Sequence, residues 1–279
     1  MMKEALSTTP VQPVRPVAPY IGGKRNLSRR LVEMIDRVDH NLYAEPFVGM
    51  GGVFFRRRRR PTKEVINDIS TDVVNLFRLL QRHYQQLLDV LKWQLASRAE
   101  FERLVGTDPA TLTDLERAAR FLYLQRTGFG GKVAGRGFGV TRTNAARFDL
   151  TKLVPMLEDV HERLCGVDIE RLPFTELIRR YDTPGTLFFL DPPYFGNEDD
   201  YGKGVFCKAD FERLRDLLEG IEGRFIMTIN AALEMREMFD CFDIEEVELN
   251  YRVSGKVTPA RELIVSRGIE TGRGRFNDE

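Results

Sequence analysis

The sequence predicts an α/β protein in which a doubly wound, mostly parallel sheet is interrupted by a helical insertion. Short apolar runs typical of buried strands alternate with helical periodicity before residue 75 and again after residue 170. Between these two parts the strand signals vanish, and apolar residues recur at helical spacing. A glycine-rich turn directly follows the first predicted strand, an arrangement that is typical of nucleotide-binding sheets.

The composition is that of a soluble globular protein. Of the 279 residues, 42% are hydrophobic and 30% are charged, which suffices for one large domain or for one domain with a smaller lobe. No run approaches the ~20 apolar residues of a membrane helix, and the amino terminus lacks a secretory pattern. We therefore expect a cytoplasmic protein without membrane contact.

Both ends of the chain are predicted to lie outside the fold. Four prolines recur in the first 19 residues beside few large apolar groups, which is typical of an extended or disordered tail. Residues 1–18 and 271–279 are therefore assigned as flexible tails.

Two strands and two helices are predicted before the insertion. Helical periodicity runs over residues 27–38, and residues 42–44 form a short strand. A second strand at 64–68 ends in Asp68, and a helix follows from Ser70 to about Gln81. This order of elements is typical of the βαβ units of a doubly wound sheet.

The insertion, residues 76–170, is predicted to be helical. Four leucines recur at helical spacing, namely Leu87, Leu88, Leu91 and Leu95. Thr113 and Glu116 form a capping box that begins another helix.

A glycine-rich basic loop follows within the insertion. Six glycines lie between Gly128 and Gly139, and the surrounding basic residues are Arg126, Lys132, Arg136, Arg142 and Arg147. Because exposed loops carry function and basic side chains pair with phosphates, we predict contacts with nucleic acid here. The predicted contacts are Arg126, Lys132, Arg136 and Arg142.

The alternation of strands and helices resumes after residue 170. Residues 186–190 form an apolar strand, and a helix runs from Asp210 to about Glu219. Further strands are predicted at 224–229 and 262–266.

Disulfides and metal sites find no support in the sequence. The three cysteines are far apart and odd in number, and we expect Cys165, Cys207 and Cys241 to be buried reduced thiols. The three histidines are not spaced as ligand pairs. We predict that no metal is bound.

The charge balance favours no partner. Lys plus Arg and Asp plus Glu both number 42, so a net charge of zero gives no overall attraction to nucleic acid. Arg56–Arg60 are five consecutive arginines. On a helix these side chains would point in all directions around the axis, so not all of them could face one partner. The run can therefore be interpreted as a solvated helix end or as a phosphate-binding site.

The strongest chemical signal is Asp191-Pro192-Pro193-Tyr194, directly after the apolar strand. An aromatic amine is a weak nucleophile because its lone pair is delocalised, and it needs acceptors that draw on its two protons. Asp191 and the Pro192 carbonyl can supply two rigid acceptors, and Tyr194 a face on which an extruded base can stack. The alternative is a tight turn with Tyr194 in the core.

Residues 45–52 form the second signal, a glycine loop after the first strand that would let the backbone approach a nucleotide. Phe54 replaces the third glycine of a dinucleotide fingerprint, so a dehydrogenase is less favoured. Asp68 can accept hydrogen bonds from ribose hydroxyls, or it can cap a helix. Residues 20–24 look like a shortened phosphate loop, but Arg25 replaces its Ser or Thr, which disfavours a kinase or ATPase.

Taken in order, these segments resemble the Dam-type DNA adenine methyltransferases of bacteria and phages, in their α arrangement. Residues 20–24 are similar to the cofactor segment of that family, residues 45–52 to its glycine loop, and Asp68 to its ribose acid. A recognition region and then residues 191–194 follow. The resemblance covers most of residues 19–266. It implies a Rossmann-like class I methyltransferase fold and methyl transfer from S-adenosylmethionine to adenine N6 in DNA.

The resemblance also implies roles for individual residues. S-adenosylmethionine would be contacted by Tyr20, Lys24, Glu45, Phe47, Gly49, Gly51, Asp68 and Asp191. The catalytic residues would be Asp191, Pro192 and Tyr194. Tyr20 replaces a tryptophan often found in the family, and Gly130 replaces a polar residue of enzymes that read GATC. The target sequence therefore does not carry over.

These interpretations define domains and partners. Residues 19–75 and 171–270 form the predicted catalytic domain, and residues 76–170 the target-recognition domain. The partners would be double-stranded DNA and S-adenosylmethionine, the protein a monomer or weak dimer of bacterial or phage origin, and no partner nuclease can be named. The alternatives are an RNA or protein-amide substrate, and a non-catalytic nucleic-acid- or nucleotide-binding protein of the same fold.

Overall fold

The computed structural model describes residues 8–24, 26–133, 135–139, 147–198, 204–253 and 256–269. The strands are β1 (Thr9–Pro10), β2 (Leu42–Glu45), β3 (Arg59–Arg60), β4 (Lys63–Asn67), β5 (Asp168–Glu170), β6 (Thr186–Leu190), β7 (Arg224–Asn230), β8 (Asp243–Val253) and β9 (Lys256–Ser266). The helices are α1 (Ser28–Asp36), α2 (Thr71–Arg82), α3 (Tyr84–Leu91), α4 (Arg98–Gly106), α5 (Asp114–Thr127), α6 (Leu150–Leu164), α7 (Phe174–Tyr181), α8 (Lys208–Gly220) and α9 (Leu233–Met238). Short 3-10 turns cover Phe54–Arg56 and Pro109–Thr111.

Seven strands form one sheet in the order β5-β4-β2-β6-β7-β9-β8. The strands from β5 to β7 in this order run parallel, and β9 and β8 are antiparallel. The chain winds to one side from β2 and to the other side from β6, so the order reverses between these two neighbours. The predicted doubly wound α/β fold is confirmed, and ligands of such sheets bind beyond the carboxyl ends of the strands at this reversal.

Neighbouring residues of β6 face two different cores. Leu187 and Phe189 pack in a core that includes side chains of α1 to α6, whereas Phe188 and Leu190 pack with α7, α8 and α9. Successive side chains of a strand point to opposite faces, and helices cover both faces of this sheet. This explains why β6 is a continuous apolar run in the sequence.

Helices α2 to α6 lie between β4 and β5 in the chain. α2 packs against α5 and α6, and α5 also contacts α3 and α4. Thr113 and Glu116 form the predicted capping box at the start of α5. The described residues of this stretch include no strand beyond an isolated bridge between Gly128 and Phe138. The division into catalytic and recognition domains stays a prediction.

The turn after α3 exposes two large apolar side chains. α3 ends at Leu91, and Leu95 is 71% exposed, so the prediction that Leu95 continues the helical face is wrong. Trp93 in the same turn is 85% exposed.

The carboxyl-terminal hairpin is larger than predicted. β9 begins at Lys256 rather than at residue 262, and β8, which the sequence reading missed, pairs with it along its whole length. β8 is an edge strand whose residues Val247, Leu249, Tyr251 and Val253 alternate with polar ones, so the period of two was a usable signal that was overlooked. Only Ile244, near its start, is out of phase with this alternation.

The proline-rich segment at residues 8–18 belongs to the fold, so its assignment as a flexible tail is wrong there. Val14 and Val17 are buried in the core, and β1 pairs with β3. Valines recur at every third position from Val11 to Val17. This spacing matches the three residues per turn of a polyproline II helix, so an extended proline-rich chain can turn its valines to one side. Residues 1–7 and 271–279 lie outside the described residues.

The cysteines also differ from expectation. Cys165, Cys207 and Cys241 are all exposed rather than buried. Cys165 and Cys207 are the cap residues of α6 and α8, and Cys241 follows α9, so all three lie at element ends near the surface. None of the described helices has the length and apolar character needed to cross a membrane.

Buried charges bind the arginine run to β4 and α6. Glu64, 1% exposed, accepts hydrogen bonds from Arg57 at 2.6 Å and from both Nη atoms of Arg163 at 2.7 Å. The Arg60 Nε lies 3.2 Å from Glu64 Oε2. We call Arg57, Arg60, Glu64 and Arg163 the Glu64 cluster. Because Arg57 is fully buried, neither the solvated helix end nor the phosphate-binding site describes the whole run.

Candidate active site

A cleft of about 1810 Å³ opens at the carboxyl ends of β2 and β6. Small-molecule sites usually occupy about 300–1,000 Å³, so this cleft has room for more than one ligand group. Its lining includes the predicted residues Tyr20, Lys24, Glu45, Phe47, Gly49, Asp68, Asp191 and Arg126. The predicted residues Gly51, Pro192, Tyr194, Lys132 and Arg136 are not part of the lining.

We define Pro19–Lys24 as the cofactor segment. The glycine loop at residues 45–52 lies close to it. A Cβ atom on Gly49 would lie 3.0 Å from the Tyr20 ring, and the Gly49 φ of +50° also favours glycine. Gly51 has a φ of +70°, and a Cβ there would lie 2.4 Å from the Phe55 ring. Gly51 therefore meets a packing requirement, whereas Gly49 lets the loop reach Tyr20.

Asp68 connects the glycine loop to the start of α2. Its Oδ2 accepts a hydrogen bond from Gly49 N at 2.9 Å, and its Oδ1 accepts one from Ser70 N at 2.8 Å. Burial raises the pKa of Asp68 to about 6, although these two donors lower it. Each carboxylate oxygen has a second lone pair, so Asp68 can still accept from a ligand.

Glu45 lies at the end of β2, buried at the base of the cleft. The Tyr43 hydroxyl donates to Glu45 Oε1 at 2.6 Å. Burial, with a smaller contribution from the nearby Asp191, raises the pKa of Glu45 to about 8 against the opposing effects of the Tyr43 hydrogen bond and the Arg57 charge. A cationic ligand group beside Glu45 would restore its charged form.

Asp191 directly follows β6 and is held through one oxygen. Lys24 Nζ lies 2.8 Å from Asp191 Oδ1, and Thr228 Oγ1 donates to the same atom at 2.9 Å. Within the described part of the chain, these contacts leave Asp191 Oδ2 for a ligand. Burial raises the pKa of Asp191, and Lys24 opposes this effect.

The turn at 191–194 is fixed from β7. Asn230 Nδ2 donates to Phe195 O at 3.0 Å, and Phe195 N donates to Asn230 Oδ1 at 2.9 Å. Pro192 and Pro193 are buried, and Lys24 Nζ lies 4.7 Å from the centre of the Tyr194 ring. Thr228 and Asn230 therefore support the two ends of the turn from one face of β7.

Sequence reasoning missed these two supports and an aromatic triangle. The rings of Phe47, Phe174 and Phe206 line the cleft with centroid distances of 5.5, 5.9 and 5.8 Å. Two polar residues within the apolar run of β7 were a usable signal for Thr228 and Asn230. Phe174 soon follows β5, another parallel strand end, whereas Phe206 had no signal.

The predicted DNA contacts differ in their surroundings. Arg126 Nη1 donates to Val17 O at 2.7 Å, and Arg136 Nη2 donates to Gln125 Oε1 at 2.9 Å. Both guanidinium groups are thus partly engaged inside the protein, whereas Lys132 is exposed. Arg142 lies outside the described residues.

Metal ligands are not grouped anywhere in the described ranges. Among those residues, no set of three or more His, Cys, Asp or Glu side chains could hold a metal ion.

Three known proteins are similar to this chain over most of its length. The type II methyltransferase M.CviBI of Paramecium bursaria Chlorella virus NC1A is 26% identical over 251 residues, covering 88% of this chain and 95% of that protein. The type II methyltransferase M1.LlaDCHI of Lactococcus lactis subsp. cremoris is 26% identical over 275 residues, covering 91% of this chain and 95% of that protein. The DNA N-6-adenine-methyltransferase of Escherichia phage P1 is 27% identical over 252 residues, covering 81% of this chain and 31% of that protein.

A family model agrees with these relatives and with the resemblance seen in the sequence. The model of the D12 class N6 adenine-specific DNA methyltransferases matches residues 20–253. This range contains the glycine loop, Asp68 and the turn at 191–194. Since the match spans most of the chain and both halves of the cleft, the protein belongs to the D12 class N6 adenine-specific DNA methyltransferase family.

Proposed function

We propose that this protein methylates N6 of an adenine that is extruded from double-stranded DNA into the cleft. The observation that carries the proposal is that one cleft, at the reversal of the sheet, joins the glycine loop and Asp68 to Asp191. S-adenosylmethionine, which the family uses, supplies an electrophilic methyl group on a sulfonium. The cytoplasm, where DNA and this cofactor occur together, is the proposed location.

The residues of the cleft fit S-adenosylmethionine. Asp68 would accept hydrogen bonds from the ribose hydroxyls through its remaining lone pairs. The triangle of Phe47, Phe174 and Phe206 would enclose the flat adenine ring. Glu45 would pair with the ammonium group of the methionine part, which favours the ionised form of this carboxyl.

Asp191, Pro192 and Tyr194 would hold the target adenine. Asp191 Oδ2 and the Pro192 carbonyl would accept the two N6 protons, which keeps the lone pair of the amine directed at the methyl group. Tyr194 would stack on the base. Asp191, whose pKa burial raises, is also placed to take the proton that N6 loses on methylation.

Much of the rate enhancement would come from alignment. Holding two reacting atoms about 3–3.5 Å apart contributes on the order of 7–11 kcal/mol. The supports from Thr228 and Asn230 give the turn at 191–194 the rigidity that such alignment requires.

The test is methyl transfer from radiolabelled S-adenosylmethionine to unmethylated plasmid DNA, with total RNA and a protein extract as competing acceptors. We expect labelled N6-methyladenine in the hydrolysed DNA, identified by mass spectrometry. Sequencing the methylated bases in DNA from expressing cells then defines the target site. Transfer to RNA alone, or binding of DNA and cofactor without transfer, would overturn the proposal.

A further inference from the structure

The cofactor segment directly contacts the glycine-rich basic loop of the insertion, residues 128–139, which we call the recognition loop. Ile21 N donates to Gly131 O at 3.1 Å. A Cβ atom on Gly131 would lie 2.9 Å from Tyr20 N and 3.0 Å from the Pro19 carbonyl carbon. The segment that carries Tyr20 and Lys24 into the cleft therefore lies in backbone contact with the loop that we expect to contact DNA.

Gln125, fully buried near the end of α5, bridges these two segments. Its Nε2 donates to Pro19 O at 3.3 Å and to Gly131 O at 3.1 Å. Its Oε1 accepts from Arg136 Nη2 at 2.9 Å. One amide thus joins the cofactor segment, the recognition loop and a basic side chain of that loop.

The side chain can transmit a change because its bonds are interdependent. An amide group is planar, so a rotation that follows Arg136 also moves both Nε2 hydrogens away from their carbonyl acceptors. An engagement of Arg136 by DNA that fixes this amide would fix Pro19 and Gly131 with it. Tyr20, the next residue after Pro19, would then be held against Gly49 and the cofactor.

We propose that Gln125 is a positioning residue that couples DNA binding to cofactor binding. The inference rests on the proposed function, since it takes the loop as the DNA contact. Thermodynamic linkage requires the coupling to be reciprocal: DNA tightens the cofactor by the same factor by which the cofactor tightens DNA.

The test measures the affinity for S-adenosylhomocysteine by calorimetry, without DNA and with a saturating duplex that carries the mapped target site. In the wild type we expect the duplex to tighten binding at least ~5-fold, the lower end of typical coupling. In Gln125→Ala we expect this ratio to fall to within about twofold of one. Gln125→Glu should behave alike, because a carboxylate cannot donate to the Pro19 and Gly131 carbonyls.

Gln81→Ala is the matched control. Gln81 Nε2 also donates to two carbonyls, Leu164 O at 2.8 Å and Val167 O at 2.9 Å, but these belong to the end of α6 and the chain before β5. Both alanine variants should have a lower melting temperature, since each loses hydrogen bonds to two carbonyls. Gln81→Ala should leave the affinity ratio at its wild-type value, whereas Gln125→Ala and Gln125→Glu should bring it close to one.

Two results would overturn the inference. One is a coupling ratio in Gln125→Ala equal to that of the wild type, and the other is a ratio of one in the wild type. Either can occur while the wild type still methylates adenine, so the inference can fail alone. An absence of methyl transfer by the wild type would instead contradict the proposed function.

Discussion

One buried carboxylate lies near the amino ends of the parallel strands and another at their carboxyl ends. The two carboxylates differ in how many of their oxygens accept hydrogen bonds from the protein. Glu64, near the start of β4, receives bonds on both oxygens from three arginines of the Glu64 cluster. Asp191, just beyond the end of β6, is held by Lys24 and Thr228 through Oδ1 alone. Both oxygens of Glu64 are occupied by arginines, so Glu64 is a structural group. Asp191 keeps its Oδ2 available for a ligand.

Burial of a charge therefore does not by itself identify a functional group. The number of its acceptor positions that protein donors occupy is a better guide to function, because a carboxylate with all positions occupied cannot accept a hydrogen bond from a substrate. The position in the sheet agrees with this distinction, since ligands bind at the carboxyl ends of the strands.

The largest expected effect is on stability, from Glu64→Ala. Removing this carboxylate leaves Arg57 and Arg163 buried without their partner, which should lower the free energy of unfolding by about 3–5 kcal/mol. Chemical denaturation followed by circular dichroism measures the loss. Asp191→Ala is the control, and an equal loss of stability in both variants would remove the contrast between the two carboxylates.

The next effect is on turnover, from Asp191→Ala. Loss of a preorganised group that stabilises transition-state charge costs on the order of 10² to 10³ in rate. Single-turnover methylation at saturating cofactor measures the chemical step. DNA affinity should change much less, since phosphate contacts supply most of it. A near wild-type rate would make Asp191 a turn residue.

A smaller effect is stabilisation by S-adenosylhomocysteine. At about 100 times its dissociation constant, a ligand that binds only the folded state adds about 2.7 kcal/mol. Thermal denaturation should show an upward shift of several degrees, and NAD should give none. A shift with NAD alone would favour a dinucleotide-binding protein.

The smallest effect is the pH dependence of cofactor affinity through Asp68. Its pKa is about 6, and the ionised form is the one that accepts from both ribose hydroxyls. The contribution of Asp68 to binding should therefore be constant above pH 7 and weaken as pH falls through 6, by about fivefold at pH 5 if the ligand lowers the pKa by one unit. Glu45, whose pKa burial raises to about 8, adds its own pH dependence in the wild type and in the control variant Asp68→Asn alike. Titration calorimetry measures the affinities, and Asp68→Asn should bind weakly and lack the fall between pH 7 and pH 5 that Asp68 causes. An equal fall over this range in the wild type and in Asp68→Asn would argue against this role.

The sequence predicted the position of the cleft because motifs at strand ends converge when the strands are parallel. The turn after β6 and the loop after β2 needed only a periodicity reading and the rule for ligand positions. Thr228 and Asn230 could not be assigned roles in this way. Their contact with the turn at 191–194 depends on β7 lying beside β6, and a single sequence does not specify strand order.

The Glu64 cluster was hidden for a different reason. A run of five arginines has the composition of a solvated surface, and only the fold brings Arg163 next to Arg57 around one carboxylate. Charged residues are rarely fully buried, so any sequence rule places them outside. Gln125 was likewise unremarkable until the cofactor segment and the recognition loop were seen on either side of it.

Trp93 determines which optical methods suit this protein. It is the only tryptophan of the chain, and its indole is 85% exposed in the turn after α3. Because the ring is already surrounded by water in the native state, its fluorescence should change little when the protein unfolds. The emission of Trp93 is thus a poor reporter of denaturation. The same exposed ring is accessible to a soluble quencher, so a macromolecule that binds near the end of α3 should change the quenching of its fluorescence.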